Sequence, residues 1–293
     1  MLSEGFYTAL GTPLDKDGYV IENSLSQHME DQISSGASGL LLLGSMGIQP
    51  CIRDREYAKI IRIASKAAAG RCPLFAGVMD NSVGRVLDRI KAAGDEHLDG
   101  IVVTTPFYYM CTPTELQNFF SGIANASRYP VYLYDLPGVT KVKINLDTVL
   151  FLMKDTRFAG IKTGDLMLAR ELKNHPDVRR DFQVLFSGLD FFDVAYNYGI
   201  RHNLDGMFSC TPRNIANMYG CFKEGNIHEG GKYLDNILSL RQAFVAAGGI
   251  FPSFTAAMNL LGYKGSFSPD YCISPGQEVV EKIKAVMKSI GEL

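Results

Sequence analysis

Short apolar runs alternate with helical stripes along most of the chain. Apolar runs at residues 5–10, 39–43, 74–78, 100–104, 131–134, 158–162, 182–186 and 205–208 have the length of buried strands. Between them lie stripes of helical period. Leu25, Met29 and Ile33 recur four apart and stop at Gly36. Tyr57, Ile60, Ile61, Ala64 and Ala68 form a second stripe ending at Gly70, and Val86, Leu87, Ile90 and Ala93 a third ending at Gly94. Thr114 is placed to cap a helix through Phe119, Phe120 and Ile123, and Asn145 one through residues 149–153. Residues 166–174, 191–198 and 211–219 supply the remaining helices.

Eight strands, each followed by a helix, predict an α/β fold of the (β/α)8 TIM-barrel type. An open doubly wound sheet would carry a GxGxxG turn after its first strand, whereas here that strand runs into Gly11-Thr12-Pro13-Leu14. After about residue 225 only helical patterns remain, at 228–247, 252–261 and 275–290. The expected organisation is a catalytic barrel over residues 1–225 and a three-helix extension over 226–293 packed on it.

Composition narrows the function. The 293 residues are 46% hydrophobic and 20% charged, with a net charge of −2 and no basic block, which argues against nucleic-acid or anionic-membrane partners. No apolar run approaches the ~18 residues of a membrane span, and the N-terminus does not read as a signal peptide. A cytoplasmic protein with six reduced cysteines is expected. The five scattered histidines lack metal-ligand spacing, so no metal is expected.

Barrel active sites gather where the strands end. Lys162 closes the sixth strand, in Phe158-Ala159-Gly160-Ile161-Lys162. A lysine there lies in the barrel mouth, where desolvation favours the neutral, nucleophilic amine that forms a Schiff base; alternatively it snorkels to solvent. Tyr134 ends the fifth strand and can relay a proton beside it, or simply keep its hydroxyl wet. Gly44-Ser45-Met46-Gly47 follows the second strand and offers amides to a carboxylate, unless its glycines serve only the turn. Thr105-Pro106-Phe107-Tyr108-Tyr109 presents aromatics after the fourth strand, and Gly188, Asp190 and Ser209 follow the seventh and eighth. Asp190 also reads as a helix cap, and Cys210 lacks a nearby histidine base.

Together these segments resemble the dihydrodipicolinate synthase/N-acetylneuraminate lyase family, from Gly11-Thr12-Pro13 to Ala256-Ala257-Met258-Asn259. That resemblance implies a class I aldolase-type barrel, commonly a homotetramer. Lys162 matches its Schiff-base lysine, Tyr134 the tyrosine of its Y-N-x-P motif, and Ser45 and Met46 its carboxylate loop. Tyr108 would complete a proton relay with Ser45 and Tyr134 across a subunit interface. The covalent imine on Lys162 would replace any cofactor.

Departures from the family pattern bear on specificity. Val139 stands where the synthases have an arginine for a second carboxylate, so a typical dihydrodipicolinate synthase is not expected. The stretch Lys162-Thr163-Gly164-Asp165-Leu166 is shorter than in the lyases, and Phe191 replaces their glutamate, which argues against full sialic acid recognition. Met46 replaces a hydroxyl residue and Ile48 a glutamate. The resulting expectation is a lyase or aldolase acting between pyruvate and an aldehyde, on a 2-keto-3-deoxy acid or sialate-like substrate. Ser45 and Met46 would hold the keto acid's carboxylate, while Val139, Gly188, Asp190 and Ser209 would face the variable end and favour a neutral polyol or other non-dicarboxylate aldehyde. A dehydratase using the same lysine and a non-catalytic keto-acid-binding relative are the rival readings.

Overall fold

The computed structural model describes residues 2–293. Elements follow in the order β1 (Gly5–Ala9), α1 (Glu22–Ser34), β2 (Gly39–Leu42), α2 (Asp54–Ala68), β3 (Leu74–Gly77), α3 (Val83–Ala92), β4 (Gly100–Thr104) and α4 (Pro113–Ala126). Next come β5 (Val131–Asp135), α5 (Pro137–Thr140), α6 (Leu146–Leu152), β6 (Phe158–Thr163), α7 (Leu166–Asn174), β7 (Gln183–Phe186), α8 (Phe192–Asn197), β8 (His202–Asp205) and α9 (Pro212–Lys223). Helices α10 (Ile227–Ala246), α11 (Ile250–Leu260) and α12 (Gln277–Ser289) end the order. The eight strands pair in parallel with their sequence neighbours, and β8 closes on β1.

Two apolar layers result from the strand period of two. Inward residues Tyr7, Leu41, Phe75, Val102, Tyr132, Leu185 and Leu204 fill the barrel. Outward residues such as Leu40, Leu42, Ile101 and Val103 meet the helix stripes, including Ile60, Ile61 and Ala64 of α2. Inside, Tyr132 needs glycine neighbours: a Cβ on Gly100 or Gly160 would come within 2.7 or 2.8 Å of its ring. Large and small residues thus share one level of the packed interior.

The eighth strand corrects the sequence reading. It is His202–Asp205, and the apolar segment read as a strand is a 3-10 turn, Met207–Cys210. Asn203, the buried polar residue of β8, finds a distant partner for its side-chain oxygen: the Tyr219 hydroxyl donates to Oδ1 at 2.6 Å. The α4 cap also moves, from Thr114 to Thr112. Pro113 occupies the first turn, and Thr112 and Glu115 bond reciprocally as a capping box. Asn145 caps α6 as expected, accepting from the Thr148 amide at 2.9 Å.

Helix α10 lies against α9 and α8, and α12 against α10 and α11. The seam is tied by Glu292, whose carboxylate accepts from the Asn214 amide at 2.8 Å and the Arg213 amide at 3.2 Å. It thereby supplies acceptors to the otherwise open N-terminus of α9. Burial pushes its carboxyl upward, against the pull of these bonds.

Candidate active site

Parallel register sets three side chains abreast at the barrel mouth. Thr104 on β4 is level with Tyr134 on β5, and Tyr134 with Lys162 on β6. Adjacent strands lie ~4.8 Å apart, so in-register side chains on one face touch. The Lys162 Nζ stands 4.0 Å from the centroid of the Tyr134 ring. The Tyr134 hydroxyl is 3.4 Å from that of Ser45. Lys162 is only 4% exposed, so it does not snorkel to solvent. Thr104, a residue the sequence reading passed over, has a buried hydroxyl without a hydrogen-bond partner among the described residues.

The outward neighbours of Tyr134 and Lys162 lock the two strand ends together. Asp135 is buried, and its carboxylate accepts from the Thr163 hydroxyl at 2.9 Å and the Ile144 amide at 3.0 Å. The Lys143 ammonium pairs with Asp135 and, at 3.0 Å, with Asp165. Asp165 also caps α7 through the Met167 and Leu168 amides. Burial works to raise the Asp165 carboxyl, but these amides and Lys143 outweigh it and hold it low. An aspartate at the motif position usually held by asparagine therefore has its own counter-charge, eight residues away.

After β2 the chain makes a tight corner. Leu43 and Ile48 both adopt left-handed φ, at 53° and 49°. That conformation costs about 1–2 kcal/mol for a residue with a Cβ. The corner persists because both side chains are buried in the core. Burial is also a physical reason for isoleucine rather than glutamate at position 48. The backbone amides of Ser45 and Met46 make no hydrogen bond among the described residues, so both donors are left open at this corner. The Met46 side chain lies across Gly206 beyond β8, where a Cβ would come within 2.0 Å of its Cγ.

The other expected residues divide. Val139, on α5, is 65% exposed and lines a cavity together with Ser45. Gly188 begins the turn after β7, where a side chain would strike the Phe186 ring. Asp190 is not a free acceptor and caps no helix; its carboxylate faces the Arg241 guanidinium of α10 with both oxygens, one contact at 2.9 Å. Arg241 holds the Asp190 carboxyl below its ordinary range. Ser209 does not line the mouth, because moving β8 places it on the 3-10 turn. Its hydroxyl is fully buried, donating to the Ala9 carbonyl at 2.9 Å and lying 3.3 Å from His28 Nε2. Tyr108 is 78% exposed on the loop after β4, packed edge-on against Tyr109, and within one chain no hydrogen bond joins it to Ser45 or Tyr134. Burial pushes the Cys210 thiol well above its ordinary value, which removes it as a nucleophile.

Asp205, also missed, stands at the end of β8. Burial raises its carboxyl, against the Met207 amide and the charges of Lys162 and Arg241. Among the described residues, no group of three or more His, Cys, Asp or Glu side chains is arranged to hold a metal ion. No helix among them is long and apolar enough to cross a membrane.

Comparison with known proteins bears on the fold and the family. The chain is 28% identical over 289 residues to a 4-hydroxy-tetrahydrodipicolinate synthase of Acidiphilium cryptum, covering 97% of this chain and 96% of that one. It is 33% identical over 216 residues to the corresponding synthase of Anaeromyxobacter sp., covering 73% of each. Among solved structures, dihydrodipicolinate synthase from Thermotoga maritima superposes with a TM-score of 0.90 at 22% identity, over 100% of both chains. YagE, a prophage protein of E. coli K12 solved in complex with pyruvate, also gives 0.90, at 20% identity and full coverage of both chains. The sequence profile of the Dihydrodipicolinate synthetase family matches residues 2–292, and the chain belongs to that family.

Proposed function

We propose that the protein is a Schiff-base lyase or aldolase that makes or breaks a C–C bond between pyruvate and an aldehyde. The observation that carries this reading is the buried Lys162 ammonium against the Tyr134 ring, with the Ser45 hydroxyl next to that of Tyr134. Ser45 and the open amides beside it hold the keto acid's carboxylate. The Lys162 amine adds to the ketone and water leaves, forming an iminium. Tyr134 relays a methyl proton away, and the electron pair of that C–H bond becomes the enamine. The enamine carbon bonds to the aldehyde carbon, and the aldehyde oxygen takes up the relayed proton. Water then adds to the iminium and releases the 4-hydroxy-2-keto acid and the free amine. Cleavage is the reverse sequence.

In this reading the enzyme works as a homo-oligomer, a tetramer by resemblance, with Tyr108 of one copy serving another. The exposed run Tyr108, Tyr109 and Met110, each more than 70% accessible, supports that arrangement, because such a patch rarely stays in water.

Borohydride reduction in the presence of pyruvate tests the chemistry. Mass spectrometry of the digested protein should place the reduced adduct on Lys162. A folded protein that gives no adduct, or carries it on another lysine, would sink the mechanism.

A further inference from the structure

The strand pair that carries Tyr134 and Lys162 is irregular. Val131 on β5 pairs with Phe158 on β6, yet the next rung joins Tyr132 to Gly160. Ala159 is therefore an extra residue, and it packs against the side chains that fill the barrel. Such a bulge re-aims the side chains beyond it. Without it, the pairing would set Ile161 beside Tyr134 and Lys162 beside Asp135, on the outer face. With it, Ile161 joins the outer core and Lys162 comes level with Tyr134 in the mouth. Glycine at 160 permits the irregularity, because a Cβ there would stand 2.4 Å from the Gln183 carbonyl oxygen.

The shifted rungs end at Asp135 and Thr163, where β5 gives way to α5 and β6 to α7. On the mouth side no hydrogen bond among the described residues joins Tyr134 to Lys162; the ammonium meets the face of the ring. The ties lie on the outer side. Asp135 holds the Thr163 hydroxyl across the last rung, and Thr163 in turn accepts from the Asp165 amide at 3.1 Å. Lys143, on the chain returning from α5, joins the Asp135 carboxylate to that of Asp165. Asp165 is itself fixed to the first turn of α7. One ammonium thus ties the end of β5 to the segment that leaves β6.

We infer that Lys143, bridging Asp135 and Asp165, is a positioning residue for the proton relay. It pins the shifted register at its open end and so holds the Tyr134 hydroxyl within reach of the methyl group of pyruvate bound on Lys162. This deepens, and rests on, the Schiff-base reading. Lys143 acts through Tyr134 and not on the substrate, because its ammonium is spent on the two carboxylates. The effect is large for so indirect a contact: a reacting group misplaced by about 1 Å costs on the order of 10²-fold in rate.

The test needs no aldehyde. Iminium–enamine exchange swaps the methyl protons of pyruvate for deuterons in D2O, and proton NMR follows this with the full-length protein. Lys143→Met should lower kcat for exchange about tenfold or more and leave the KM for pyruvate within about threefold, since the carboxylate is held at the Ser45 corner. In a Tyr134→Phe background, assayed at higher enzyme concentration, the same change should cost less than about threefold, because the group it positions is already gone. A purely structural role would cost the same in both backgrounds. A smaller loss of kcat in K143M, a rise in KM that accounts for it, or an equal loss in the Y134F background would overturn the inference. If circular dichroism shows K143M unfolded, Asp165→Asn takes its place. It keeps a capping oxygen for α7, frees one end of the bridge, and should lower kcat at least about threefold with KM unchanged; an unaltered kcat would overturn the inference. Borohydride trapping of pyruvate on the wild type separates the failures. An adduct on Lys162 without these losses removes only the positioning role, whereas no adduct removes the Schiff-base reading and the positioning role together.

Discussion

Lowering the pH from 7 to 5 should remove about 2 kcal/mol of stability through one buried side chain, His28. Its ring is fully buried on the inner face of α1, against the Tyr263 ring. The Ser209 hydroxyl spends its only proton on the Ala9 carbonyl, so His28 Nε2 must be the donor to Ser209 Oγ. Nδ1 is then the bare nitrogen, and it has no partner among the described residues. A proton added there would sit in an apolar wall with nothing to accept it. Burial accordingly pushes the histidine down from 6.5 to about 3. In the unfolded chain the ring binds a proton once the pH falls below 6.5, while the folded chain waits until about 3. Stability from this group is therefore complete above 6.5 and is lost as the pH falls through that window. At ~1.36 kcal/mol per pH unit, the 1.5 units between 6.5 and 5 amount to about 2 kcal/mol. Urea unfolding followed by circular dichroism, at fixed protein concentration, measures it in wild type and His28→Leu. Leucine is close in volume and leaves Ser209 its bond to Ala9. Other titrations, including the raised carboxyls of Asp205 and Glu292, are common to both proteins and cancel. Wild type should lose about 2 kcal/mol more than H28L. Equal losses, within about 0.5 kcal/mol, would refute the assignment of the neutral ring and of its proton.

Tyr134→Phe keeps the ring beside Lys162 and removes the proton relay. Its kcat in the pyruvate–aldehyde reaction should fall about 10²–10⁴-fold, read in a coupled or direct product assay. Lys143→Met leaves the buried Asp135 carboxylate with only a hydroxyl and an amide. It should destabilise the protein by about 1–3 kcal/mol in thermal or urea melts, and the double variant with Asp135→Asn should recover part of that loss.

The barrel was readable because most strands are short apolar runs between helices whose stripes end at glycines. Lys162 and Tyr134 were readable for a related reason. Each follows directly on such a run, and strand pairing then brings neighbouring run ends together. The eighth strand hid because His202, Asn203 and Asp205 are polar, and what makes Asn203 acceptable there is Tyr219, a full helix later in the chain. Misplacing that strand carried Ser209 to the mouth in the sequence reading, whereas its hydroxyl serves His28 and Ala9. Asp190 and Arg241 are 51 positions apart and on different layers, so nothing local announces their pairing. Asp135 and Lys143 lie closer, but their roles appear only when Asp135 on β5 and Asp165 at the start of α7 are seen to share one ammonium. The cavity beside Ser45 and Val139 was invisible for the same reason, since its walls come from six separate stretches of chain.

The carboxylate that caps α9 also shapes how the molecule folds. The Asn214 amide finds its acceptor 78 residues downstream, with the whole helical extension between them. Until α10, α11 and α12 have docked, that helix starts with open amides, and closing so long a loop carries an entropic cost before any contact returns it. The extension is thus a latch set late in folding rather than an appendage. Refolding should show the barrel's last helix gaining hydrogen-exchange protection together with the final helix of the extension, and not with the strand that precedes it.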